Sequence, residues 1–140
     1  MSIRFSSLDT DFQVPNPEKT KNWIEQVIRN HHMLPGRISY CFCSDEHIHK
    51  VNVDFLNHDT YTDIITFDYV QGNLVSGDIL ISVDRVGENA RSFSVPFEQE
   101  LCRVIIHGVL HLLGFKDKSN VDAATMRMKE EESLQLLIEM

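Results

Sequence analysis

Two histidines four residues apart, His107 and His111, followed by Gly114 and Asp117, are the side chains best placed to do chemistry together. Four residues is just over one turn of α-helix, so both imidazoles leave the same face and can grip one ion. That is half of a metal site. Gly114 can take the left-handed backbone that ends a helix, turning the chain so that Asp117 returns to the same point as a third ligand. The chemistry on offer is that of one divalent cation held by His107, His111 and Asp117. A fourth position would stay open for water.

With seven His in 140 residues, such a pair is weak by itself, because histidines on an apolar face are commonly packed core residues. The surroundings strengthen it. Leu101, Val104, Ile105, Ile106, Val109, Leu110, Leu112 and Leu113 make residues 101–113 apolar nearly all round, as a buried helix is. Imidazoles there need partners, since an unpaired buried polar group costs about 1–3 kcal/mol, and a shared metal supplies both at once. The spacing H-x3-H-x2-G-x2-ligand is that of the metzincin-type zinc motif. Two places differ: Gly108 stands where a peptidase has its Glu, and Asp117 where a third His is usual.

A chain of 140 residues, 42% hydrophobic, reads as one globular domain spanning residues 1–140. It holds no apolar run of membrane-spanning length, and its start lacks a signal-peptide layout, so the expected setting is cytoplasmic with no membrane partner. A net charge of −8, with 13 basic residues scattered rather than clustered, argues against a general polyanion binder. Any nucleic-acid contact must be a local cleft. Cys41, Cys43 and Cys102 are expected to be reduced packing residues.

Ile3, Phe5 and Leu8 suggest a first strand. Val14-Pro15-Asn16-Pro17 then breaks the chain and starts a helix, with Asn16 as cap. Trp23, Ile24, Val27 and Ile28 follow at helical spacing up to a solvated end at His31-His32, and Pro35-Gly36 reads as a turn. Residues 37–43 alternate as a strand, and Ser44 opens a helix to about Asn57 with Ile48, Val51, Val53, Phe55 and Leu56 as apolar positions. His47, His49 and His58 are expected to be exposed. Residues 61–70 and 78–83 read as strands joined through Gly72-Asn73 and paired antiparallel. Residues 84–93 fit a short helix, Pro96 opens the long one, and Ser119 with Asp122 caps a last helix carrying Val121, Ala124, Met128 and Leu134. Its run Glu130-Glu131-Glu132 reads as a solvated face. About four strands and five helices out of strict alternation predict an α+β fold, helices packed on a small mixed sheet.

Three separated blocks resemble a known family, the YbeY endoribonucleases or rRNA maturation factors. They are His107-Gly108-Val109-Leu110-His111-Leu112-Leu113-Gly114-Phe115, then Asn52 with Asp59 and Thr62-Asp63-Ile64-Ile65-Thr66-Phe67, and Gly77-Asp78-Ile79. The resemblance implies a zincin-like α+β fold with one catalytic metal ion, taken to be zinc, bound by His107 and His111. It further implies a single-strand-specific endoribonuclease acting on precursor RNA in small-subunit (16S) ribosomal RNA 3′-end maturation and ribosome quality control, with the ribosome or its proteins as partners. The chain departs from the family at Asp117, which falls on the third-histidine position. A carboxylate is an acceptable zinc ligand, though the lost charge makes harder ions such as Mn²⁺ more competitive. It departs again at Leu56, where the family commonly carries an Arg thought to face RNA, for which His58 or Lys116 could compensate. Competing readings are a metallopeptidase-like hydrolase, from the zincin-like spacing, and a ribosome-associated factor whose metal is structural.

Overall fold

A computed structural model describes residues 2–56 and 62–140. The elements are β1 (Ser2–Ser7), α1 (Pro17–Asn30), β2 (Leu34–Cys43), α2 (Asp45–Leu56), β3 (Ile64–Asp68), β4 (Leu74–Ser82), α3 (Val83–Ser92), α4 (Phe97–Leu112) and α5 (Asn120–Glu139). The sheet runs β1-β2-β4-β3. β1 and β4 both pair parallel with β2, whereas β3 lies antiparallel on β4, as the Gly72-Asn73 turn required. This is the mixed four-strand sheet with five helices that the pattern predicted.

Side-chain alternation divides the sheet between two layers. Ile38, Tyr40, Phe42, Ile79 and Ile81 face the larger core with α1, α4 and α5. Cys43, Ile65 and Leu80 point the other way, against Ile48 and Val51 of α2. Helix α4 lies at the centre of the larger layer and is tied to the sheet by the buried Tyr40 hydroxyl, which donates to the Ile105 carbonyl at 2.8 Å. α5 is held by the Trp23 indole N–H, donating to the Ser133 carbonyl at 2.7 Å. At Gly108 the helix touches the strands: a Cβ there would sit 2.9 Å from Ile79 Cδ1 and 3.1 Å from Ile64 Cδ1. Residue 108 therefore faces the sheet.

Several expectations need correction. Pro35-Gly36 is not the turn; both lie in β2, where the pairing register shifts between Pro35 and Ile38, and the reversal occurs at His31-His32, with His32 at φ 62°. Asn16 occupies the cap position of α1 but its side chain makes no capping bond. His31 is half-buried, its Nδ1 2.8 Å from the Val27 carbonyl and its ring edge-on to Phe115; His47 and His49 are half-buried too. Val53, Phe55 and Leu56 are exposed. Asn57, His58, Asp59 and Tyr61 lie outside the described residues, so the expectations placed on them stay there. Among the described residues the three cysteines are free thiols, and burial pushes Cys43 up to about 12. No helix among them is long and apolar enough to cross a membrane.

Candidate metal centre

Helix α4 presents His107 and His111 on one face, their rings edge to face with centroids 4.8 Å apart. The helix then ends as the sequence predicted. Gly114 stands at φ 105°, its N–H donating to the His111 carbonyl at 3.0 Å while that of Phe115 donates to Leu110 at 3.0 Å. This double bond pattern closes a helix through a left-handed residue. The chain doubles back, and Asp117 Oδ2 comes to 3.3 Å from His107 Nε2 and 3.4 Å from His111 Nε2. Among the described residues this is the group of metal-ligating types whose donor atoms converge, all within 4.8 Å of one another.

Donors about 2.0–2.1 Å from a tetrahedral zinc stand roughly 3.3 Å apart along each edge of the tetrahedron. The two nitrogen-to-oxygen separations match that edge. The donor set of two imidazoles and a carboxylate fits a divalent cation.

Behind His107 lies a residue the sequence did not reveal. Glu130 of α5 is buried, and its Oε2 accepts from His107 Nδ1 at 2.7 Å. In the neutral ring that bond puts the proton on Nδ1 and leaves the Nε2 lone pair towards Asp117, the tautomer a metal needs, as in the carboxylate–histidine support common behind metal ligands. Glu130 Oε1 accepts from Arg103 Nη1 at 3.1 Å, and Arg103 Nη2 reaches Glu131 at 2.7 Å. Two members of the supposed solvated run thus serve the site. Glu130 was hidden because α5 carries Glu130 and Ser133 inward and Val121, Met128 and Ile138 outward, which cancels the amphipathic signal on which pattern reading depends.

Burial lowers the proton affinity of both imidazoles, but at His107 the bond to and charge of Glu130, with Asp117 and Asp63, outweigh it and leave the ring raised. At His111 burial and the neighbouring His107 prevail, so it is lowered. The triad opens into a cleft of about 530 Å³ that follows α4 and is walled by residues of β3 and α3.

Glu100, also on that cleft, is 3% exposed and its Oε1 lacks a hydrogen-bond partner, the Arg103 Nε lying 3.7 Å away. Burial raises its pKa; Arg103 offsets part of the rise, and Asp63 and Glu130 add to it. The folded state therefore keeps the proton to higher pH than the unfolded chain, whose Glu titrates near about 4.3. Stability falls as pH climbs from that value through the folded one. Glu100→Gln, which removes the charge and keeps the shape, should melt with the wild type near pH 4 and above it at pH 7. A variant that loses stability between those pH values relative to wild type would contradict this.

A family model described as Endoribonuclease YbeY matches residues 5–138. The chain belongs to the YbeY family. A relative from Flavobacterium johnsoniae named Endoribonuclease YbeY is 52% identical over 126 residues, 90% of this chain and 91% of that protein. One of the same name from Parabacteroides distasonis is 43% identical over 139 residues, covering 99% and 98%. The solution structure of TM1509 from Thermotoga maritima superposes with a TM-score of 0.72 at 27% identity, covering 97% of this chain and 89% of that one. Asp117 is in the convergent group, Lys116 lines the cleft, and Leu56 is an exposed residue at the end of α2.

Proposed function

We propose that this chain is a metal-dependent endoribonuclease that cuts single-stranded RNA, with precursors of small-subunit ribosomal RNA as its substrate in the cytoplasm and the ribosome as the setting in which it meets them. One domain, residues 1–140, carries the activity. The observation that supports it most is the convergence of His107, His111 and Asp117 at the floor of an open cleft, in a chain of the YbeY family.

His107 and His111 would hold one divalent ion, zinc by the nitrogen-rich donor set, through their Nε2 atoms, with Asp117 closing the third side through Oδ2. When bound, that ion supplies Lewis acidity to a phosphate oxygen or to a coordinated water. Glu130 keeps the proton of His107 on Nδ1, and Arg103 fixes Glu130 in turn. Gly108, turned into the sheet, cannot offer the carboxylate that a peptidase uses to take a proton from water. The metallopeptidase reading is for that reason not favoured. Three donors converge among the described residues, the number a catalytic site uses while keeping a fourth position open.

The direct test gives the metal-loaded protein an unstructured RNA, the same sequence as a duplex and as DNA, and a peptide library. Cutting of the single-stranded RNA alone is expected. Preferred turnover of peptide, or inert RNA, would overturn the reading.

A further inference from the structure

The cleft is much larger than an ion requires, and its charge does not suit a phosphate backbone. Along α4 it runs from Glu100 to His111, eleven residues or about 16 Å. Its walls carry five carboxylates, Asp63, Asp68, Glu100, Asp117 and Glu130, against three cations, Arg103, Lys116 and Arg127. Arg103 is already shared among Glu100, Glu130 and Glu131. A polyanion entering this space gains little from the protein's own charges beyond what an ion at the triad would give. Contacts to the bases are then a natural further source of affinity for RNA.

Phe93, an aromatic ring 57% exposed, lines this cleft. Its presentation is fixed by the backbone. Phe93 is the last residue of the α3 turn, its N–H bonded to the Asn89 carbonyl at 2.9 Å. The following Ser94 takes the left-handed conformation at φ 56°, and Val95 N–H returns to the Ala90 carbonyl at 3.0 Å. This is the same double closure that ends α4, here with a non-glycine residue in the unfavourable position. A helix end held in that way aims a large apolar side chain at the cleft rather than into the core.

We infer that Phe93 is a stacking platform for an unpaired base of the RNA, the base of a nucleotide flanking the phosphate at the His107–His111–Asp117 group. The inference rests on the endoribonuclease reading and deepens it. Aromatic rings bind successive bases of single strands by their faces, tolerantly of sequence. A base inside a duplex has both faces covered by its neighbours, so a cleft that depends on stacking selects single strands. The chemistry stays at the triad; Phe93 sets which form of substrate reaches it.

The experiment measures cleavage of a short unstructured oligoribonucleotide by the wild type, Phe93→Ala and Phe93→Trp, each metal-loaded, beside oligomers carrying one abasic nucleotide at successive positions around the cut. Phe93→Ala should raise KM about 5- to 150-fold with little change in kcat, the range expected for losing one stacked base. Phe93→Trp should restore KM. One abasic position should raise KM for the wild type and have no further effect on Phe93→Ala. Equal KM in wild type and Phe93→Ala, with the wild type cutting RNA, would overturn the stacking role while leaving the endoribonuclease reading intact. A wild type that cuts no RNA would overturn both. A KM increase in Phe93→Ala that every abasic substrate shows equally would assign the effect to something other than one stacked base, and would overturn the inference.

Discussion

His111→Ala should bind no metal at the concentrations that saturate the wild type and should cut RNA no faster than a no-enzyme control. The loss follows from the geometry of the triad. With His111 gone, a cation at the floor of the cleft keeps only His107 and Asp117, and two protein donors do not hold zinc against water and buffer. His111 is the more exposed of the two histidines, with a third of its side chain open to solvent, so the substitution leaves no large cavity and the melting temperature of the metal-free protein should stay close to that of the wild type. Retained folding separates a lost site from a lost fold. Undiminished cleavage by a preparation free of contaminating nuclease would mean that the active centre lies elsewhere.

Glu130→Gln should weaken metal binding by about 10- to 100-fold, the usual cost of removing the group that orients a ligating histidine. It never approaches the metal itself. Its carboxylate holds the proton of His107 on Nδ1 and lends the ring negative charge; Gln can still accept that hydrogen bond but supplies no charge. Chelator competition gives the affinity, and ¹⁵N spectra of His107 followed against pH give the ring's proton affinity, which loss of the Glu130 charge should lower and a merely structural role would not alter. Glu130→Ala should do worse. Arg103, 12% exposed, then loses one of its buried partners, and breaking a buried pair from one side costs about 3–5 kcal/mol. If Glu130→Gln binds metal as tightly as the wild type and His107 keeps its proton affinity, the supporting role is wrong.

These two variants also mark what sequence alone could deliver. The convergence of His107, His111 and Asp117 was legible because all three belong to one local unit: a helical turn spaces the imidazoles, and a glycine with φ 105° returns the carboxylate three residues later. Local geometry of that kind is written in residue spacing. Glu130 lies 23 residues from His107 on another helix, and nothing in its own neighbourhood, three consecutive glutamates, distinguishes the buried member from the solvated ones. Phe93 was equally silent, since a phenylalanine at the end of a short helix reads as core until its exposure is known.

The fold shows the same division. The antiparallel β3–β4 pair and the capped start of α5, where Ser119 Oγ accepts from Asp122 N–H at 3.0 Å, follow from turn and capping chemistry within a few residues. The parallel pairing of β2 with both β1 and β4 rests on contacts far apart in sequence. Pro35-Gly36 misled because a proline–glycine pair ordinarily marks a turn. Here the two residues open a strand at a register irregularity, and the reversal is made by His32 just before them.

Elemental analysis of the purified wild-type protein beside Asp117→Ala puts the shared cation to the most direct trial. One divalent ion per wild-type chain, and a fraction of that in the variant after the same dialysis, is the expected result. Metal content unchanged by the loss of Asp117, or a wild type that takes up none, would contradict it.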